Sequence, residues 1–233
     1  MQEDNLTYSE AIEKSQAVQS FFSQVYGWMF FGLFTTGIFA YYTANSNFLL
    51  NMIFGNSMVF YGLLFAELLL VVGISGMINS IGATTASFMF FVYSALNGLT
   101  LASIFLLYTN DSIAMVFFIT GGTFGAMSLY GYMTKTDLTK MGSMMLMALI
   151  GLVIASLINL FWQNPALMWI TTYAGVLIFV GLTAYDTQKL KNIAHQIREE
   201  EAVRKLAVMG ALTLYLDFVN LFLYFLRIFG KRK

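Results

Sequence analysis

Seven apolar stretches, each near the ~20 residues that span a bilayer, run through this chain of 233 residues. They lie at 23–43, 57–77, 84–107, 112–133, 141–162, 167–188 and 206–228. None contains proline; the one proline, Pro165, falls in the short link Gln163-Asn164-Pro165-Ala166. The residues are 58% hydrophobic and only 10% charged, where soluble globular domains carry about 25% charged residues. Too little polar surface remains to clothe a soluble protein. The fold class is therefore an all-α integral membrane bundle of seven transmembrane helices. The short links make neighbouring helices antiparallel. Glycines and small residues inside the spans, as in Gly121-Gly122-Thr123-Phe124-Gly125-Ala126, predict close helix–helix packing.

Three segments follow: a polar, amphipathic 1–22, a transmembrane domain over 23–230 and a basic tail, 231–233. The first carries Glu3, Asp4, Glu10, Glu13 and Lys14 among Ala11, Ile12, Val18, Phe21 and Phe22. An interfacial helix and a frayed end both fit it. It lacks the basic start of a secretory signal, so no cleaved leader is expected. Lysine and arginine fix the expected orientation. Lys135 and Lys140 follow the fourth span; Lys189, Lys191, Arg198, Arg204 and Lys205 follow the sixth. Both links fall on one side together with Lys14, which places the N-terminus in the cytoplasm. The tail Gly230-Lys231-Arg232-Lys233 breaks the rule if the seventh stretch crosses, and obeys it if that stretch is re-entrant. Its length favours crossing.

Twelve Lys and Arg balance twelve Asp and Glu, and no basic patch suggests a nucleic-acid partner. The absence of cysteine removes thiol chemistry and cysteine metal sites. The single histidine, His195, lies in a polar link, so neither a fixed metal site nor a bound cofactor is expected. Membrane lipid is the first partner.

Four charges lie well inside or at the ends of the spans: Glu67, Asp186, Asp217 and Arg227. A charge at the centre of a membrane costs roughly 2.5 kcal/mol or more even on the gentlest scale, which makes each a functional candidate. Glu67, flanked by leucines, is too deep to snorkel; it either pairs with Arg227 or bonds a neighbouring helix as structural glue. Arg227 is that partner or an interfacial anchor. Asp186 and Asp217 sit on consecutive antiparallel helices, Asp217 the deeper. If they meet, two carboxyls in one low-dielectric site cannot both ionise easily and share a proton. Such a pair is closed while it holds one proton and opened by a second charge or proton. The bland alternative has each carboxyl satisfied separately, by backbone or by Tyr185, Tyr215 or Asn220.

The stretches GLTAYDTQKLK (181–191) and ALTLYLDFVNLFLYFLRIFG (211–230) resemble the signatures of the transmembrane Bax inhibitor motif family in its bacterial type. Tyr93-Ser94-Ala95-Leu96-Asn97-Gly98-Leu99-Thr100-Leu101 resembles its third-helix segment, with Asn97 a further supporting polar group. The resemblance covers about residues 20 to 230. It implies a seven-helix fold with the last helix central, and a non-enzymatic, pH-sensitive calcium leak in a bacterial inner membrane. Asp186 and Asp217 would gate it, with Glu67 and Arg227 at the pore or its closure. Calcium would be the permeant ion, held transiently at Asp186, Asp217 and Glu67, since hard oxygen ligands suit it. One departure stands out. Many bacterial relatives carry a Ser-x-Arg-Ile-Asn arginine that bonds the aspartate pair, and its position is Met77 here, in Ser75-Gly76-Met77-Ile78-Asn79. The pH set point and the firmness of the latch are thereby open.

Two other functions compete. An intramembrane aspartyl protease also carries aspartates on helices six and seven, the first in Tyr-Asp. Its second belongs to Gly-x-Gly-Asp, however, where this chain has Leu214-Tyr215-Leu216-Asp217. A regulator that binds a membrane protease or cell-death factor is the stronger rival, as some relatives are described. The amphipathic start and the charged link 189–205 would make those contacts. A rhodopsin is excluded, since helix seven holds no lysine in its core.

Overall fold

The computed structural model describes the backbone of residues 2–197 and 199–233, and side chains from residue 15 onward within those bounds. The side chains of Glu3, Asp4, Glu10, Ala11, Ile12, Glu13 and Lys14, and the whole of Arg198, lie outside the described residues. Nine helices follow in order among the described residues: α1 Gln2–Ala44, α2 Asn47–Phe54, α3 Ser57–Met77, α4 Ala83–Leu101, α5 Ser103–Leu107, α6 Asn110–Met133, α7 Thr139–Trp162, α8 Pro165–Ala194 and α9 Glu200–Phe229.

Six stretches are long and apolar enough to cross a membrane among the described residues: α3, α4 with α5, α6, α7, α8 and α9. Together with the composition, they make this an integral membrane protein. The expected first span, 23–43, forms the latter part of α1 and is not among the six. Its Gly27, Trp28, Gly32, Thr35, Thr36, Gly37, Tyr41 and Tyr42 dilute its apolar character. No helix break separates 2–22 from it. The short α2 was not anticipated.

Local chemistry explains where the helices begin and end. Ser46 Oγ accepts from Leu49 N to start α2, and Asn56 Oδ1 accepts from Met58 N to start α3. These side chains satisfy backbone donors that the first turn leaves free. Gln163 closes α7 in the left-handed region (φ 50°). Asn164 Oδ1 then accepts from Ala166 N at 2.8 Å. Pro165 is the first residue of α8, where its missing N–H costs nothing.

The chain divides into two compact units. The first comprises residues 1–103 and 190–212, the second 104–189 and 213–233. In the first, α4 packs against α1 and α3. Gly98 permits the close α1 contact, because a Cβ there would meet the Thr36 carbonyl and Phe39. Thr36 Oγ1 seals it by donating to the Ser94 carbonyl at 2.9 Å. In the second unit the tail folds back on the α5–α6 turn: Thr109 N donates to Lys231 O, Lys233 N donates to Leu107 O, and Tyr108 pairs with Arg232.

The glycine run of α6 does not do what its composition suggests. A Cβ at Gly121, Gly122 or Gly125 would meet nothing within 4 Å. The buried face of α6 is instead Val116, Thr120, Phe124, Ser128 and Gly131, at spacings of three and four.

Candidate functional site: an aspartate pair and a cradled glutamate

The four residues flanking Asp186 on α8 each have a fixed neighbour in the second unit. Ala184 is fully buried against Gly131, where a Cβ would collide with the Ala184 backbone. The Tyr185 ring occupies the space beside Gly142 at the start of α7. The Thr187 hydroxyl is 2.9 Å from Ser128 Oγ. Gln188 accepts from Leu138 N and donates to Thr136 O, both at 2.8 Å, and so holds the α6–α7 link. Asp186 thus sits on a helix face whose rotation is fixed by three neighbouring contacts and one backbone clamp.

On α9, Leu214, Tyr215 and Leu221 are fully buried. Phe218 is wedged edge-on against Phe117 and Phe124, with ring centroids 5.3 and 5.5 Å away. Asp217 lies between these anchors and is 4% exposed, whereas Asp186 is half-buried. The two carboxyls are near enough to act directly on one another. Two carboxyls so close in a low-dielectric site do not both ionise easily, and since a carboxylate only accepts, direct contact between them calls for one shared proton. Asp217 Oδ2 is buried with no hydrogen-bond partner among the described residues. Lys189, one turn beyond Asp186 and exposed, is near enough to act on it electrostatically. Two carboxyls also offer oxygen ligands to a hard cation. Among the described residues, no three His, Cys, Asp or Glu side chains gather to close a metal site.

Glu67, in the first unit, is 8% exposed on α3. Its Oε2 accepts from Asn97 Nδ2 at 3.0 Å and its Oε1 from Thr100 Oγ1 at 2.9 Å. The Thr100 hydroxyl also lies 3.0 Å from the Asn97 carbonyl, so its one proton chooses between two acceptors. Asn97 and Thr100 are three apart on α4, hence on one face. The stretch 93–101 is therefore the cradle of a buried carboxyl, a role the sequence left unassigned to Thr100.

Arg227 belongs to the second unit. Its Nη1 donates to Thr172 Oγ1 at 3.2 Å, and its guanidinium is 6.0 Å from the Tyr224 ring centroid. Asn220 Nδ2 donates to the Leu216 carbonyl of its own helix at 2.8 Å. Tyr185 and Tyr215 pack as described above. The structure thus joins Asp186 to Asp217 and Glu67 to Asn97, and supplies Thr100, Thr172, Ser128, Thr187 and Gln188 as further members. Gln188 was readable in principle, being a buried amide two residues after Asp186. The hydroxyls were not, since threonine and serine in apolar helices mostly bond their own backbone.

A family model described as "Inhibitor of apoptosis-promoting Bax1" matches residues 18–233. The "Inner membrane protein YbhL" of Escherichia coli is 52% identical over 233 residues, 99% of this chain and all of that protein. An uncharacterized protein of Borreliella burgdorferi is 46% identical over 214 residues, 91% of this chain and 92% of its own. One from Rickettsia prowazekii is 40% identical over 231 residues, 98% and 94% of the two chains.

Proposed function

From the premise that this chain belongs to the Bax inhibitor family, we propose that it is a pH-sensitive calcium leak. Asp186 and Asp217 form its gate. The carrying observation is the close approach of a nearly buried carboxyl to a half-buried one, with Asp217 Oδ2 left without a hydrogen-bond partner among the described residues. With one shared proton the two helices are held together. When the proton leaves, two like charges in a low-dielectric site repel, α8 and α9 part at that point, and the oxygens become ligands for a passing divalent ion. Glu67, held by neutral donors only, is a second carboxyl for that ion, and Arg227 contributes to closure.

The reading carries an architecture with it. Seven helices cross, the latter part of α1 being the first, and α9 is central. In support, α9 has 67% of its apolar window buried, more than any other candidate span. The name of the Escherichia coli relative supports an inner membrane, and the basic links support a cytoplasmic N-terminus.

A second reading rests on the family's description as an inhibitor: the protein acts by binding another membrane protein. Purified protein in liposomes loaded with a calcium indicator separates the two. Calcium entry above that of empty liposomes, varying between about pH 6 and about pH 8, is the expected result. No entry at any pH overturns the leak and leaves partner binding.

A further inference from the structure

Within the second unit a cavity of about 390 Å³ lies beside Arg227, lined on its polar side by Ser156, Asn159, Thr171, Asn220 and Tyr224. Its remaining walls are Leu160, Met168 and Leu223. No carboxylate lines it. Arg227 offers five N–H donors in a fork, and one of them meets Thr172. Asn159 uses its Oδ1 to accept from Asn164 N at 2.9 Å, which assigns its Nδ2 donors to the other side. Ser156 and Tyr224 add hydroxyls. The Tyr224 ring is itself fixed by stacking on Phe179, 6.0 Å between centroids. The site is rich in donors, carries one fixed positive charge, and has little to accept a proton or bind a cation.

Its position narrows the ligand. The α7–α8 turn at 163–164 lies beside it, and exposed aromatic side chains crowd that turn: Phe161, Trp162, Trp169 and Tyr173. Tryptophan and tyrosine gather at the level of lipid headgroups. Below the cavity α7 presents Val153, Ile154 and Leu157, all exposed, a surface for acyl chains. Lys231, Arg232 and Lys233 follow one turn beyond Arg227.

We propose that this cavity binds the phosphate of an anionic phospholipid headgroup. The guanidinium takes the phosphate oxygens as a fork, Asn159 and Ser156 complete the shell, and the chains run along α7. Basic pockets between membrane helices bind anionic headgroups in this manner. The proposal is independent of the leak, because its test reads bound lipid and no ion flux.

The test is native mass spectrometry of the detergent-purified protein with added phosphatidylglycerol, phosphatidylcholine or inorganic phosphate. The wild type should retain phosphatidylglycerol in preference to phosphatidylcholine. Arg227→Gln should lower that retention about tenfold, Asn159→Ala by a smaller factor, and joint replacement of Lys231, Arg232 and Lys233 by Gln should leave most of it. Should Arg227→Gln fail to fold, Asn159→Ala decides. Equal retention in the wild type and the pocket variants would overturn the proposal, as would loss on changing only the tail. Displacement by millimolar inorganic phosphate would make the site one for a soluble anion and overturn its assignment to lipid.

Discussion

A buried carboxyl is defined by who gives it a hydrogen bond, and the two acidic sites here differ in that respect. Glu67 has two neutral donors, while the buried Asp217 Oδ2 has no hydrogen-bond partner among the described residues. Thr100→Val should therefore strip Glu67 Oε1 of its donor and destabilise the solubilised protein by about 1–3 kcal/mol, the usual cost of an orphaned buried polar group. A thermal melt unchanged from wild type would show that the Thr100 proton goes to Asn97 instead. The aspartate pair depends on the packing of its neighbours. Gly142→Val should force the Tyr185 ring aside, overpack the site at about 1–3 kcal/mol, and displace Asp186 as well. The readout is a Tm lowered together with altered cross-linking between cysteines placed at positions 186 and 217; an unperturbed cross-link would refute the positional claim.

At the scale of elements, most of the fold was legible. Expected spans at 57–77, 112–133 and 141–162 fall on α3, α6 and α7 within two residues, since a bilayer-length apolar run admits little but a helix. What periodicity hid was contact. The glycine run of α6 faces open space, while Gly98, Gly131 and Gly142 make the close approaches; isolated glycines carry no marker of which neighbour they meet. The pairing of Asp186 with Asp217 was a conditional reading, because spacing fixes depth poorly. The helix starts are testable too. Glu201 Oε1 accepts from Ala83 N at the head of α4, 2.8 Å away and 118 residues distant in sequence. Glu201→Ala should cost about 1 kcal/mol, as a lost cap does, whereas Glu201→Gln keeps an acceptor and most of the stability. At the head of α7, the Thr139 hydroxyl and amide hold the carboxyl of Asp137 below the usual aspartate range. A lowered native value stabilises at pH above the ordinary value and loses that stabilisation as pH falls through the native one. The Tm difference between wild type and Asp137→Asn should thus be small but present near neutrality and vanish as pH falls through the lowered native value. A difference that grows in acid would reverse the assignment.

For the whole molecule, the proposed function rests on one device: two helices held by a proton shared between Asp186 and Asp217. Met77 stands where the family resemblance expects an arginine bonded to that pair, and Lys189 is the cation that acts on Asp186 here. Lys189→Gln should therefore move the pH at which the pair switches, read as the midpoint of calcium entry into liposomes. The most direct measurement is that same flux from about pH 6 to about pH 8 for the wild type, Asp186→Asn, Asp217→Asn and the double variant. If the pair acts as a unit, each single change abolishes the pH dependence and the double variant behaves like either one, the non-additivity of directly coupled groups. PH dependence surviving in a single variant, or effects that simply add in the double, would contradict the shared proton as the gate.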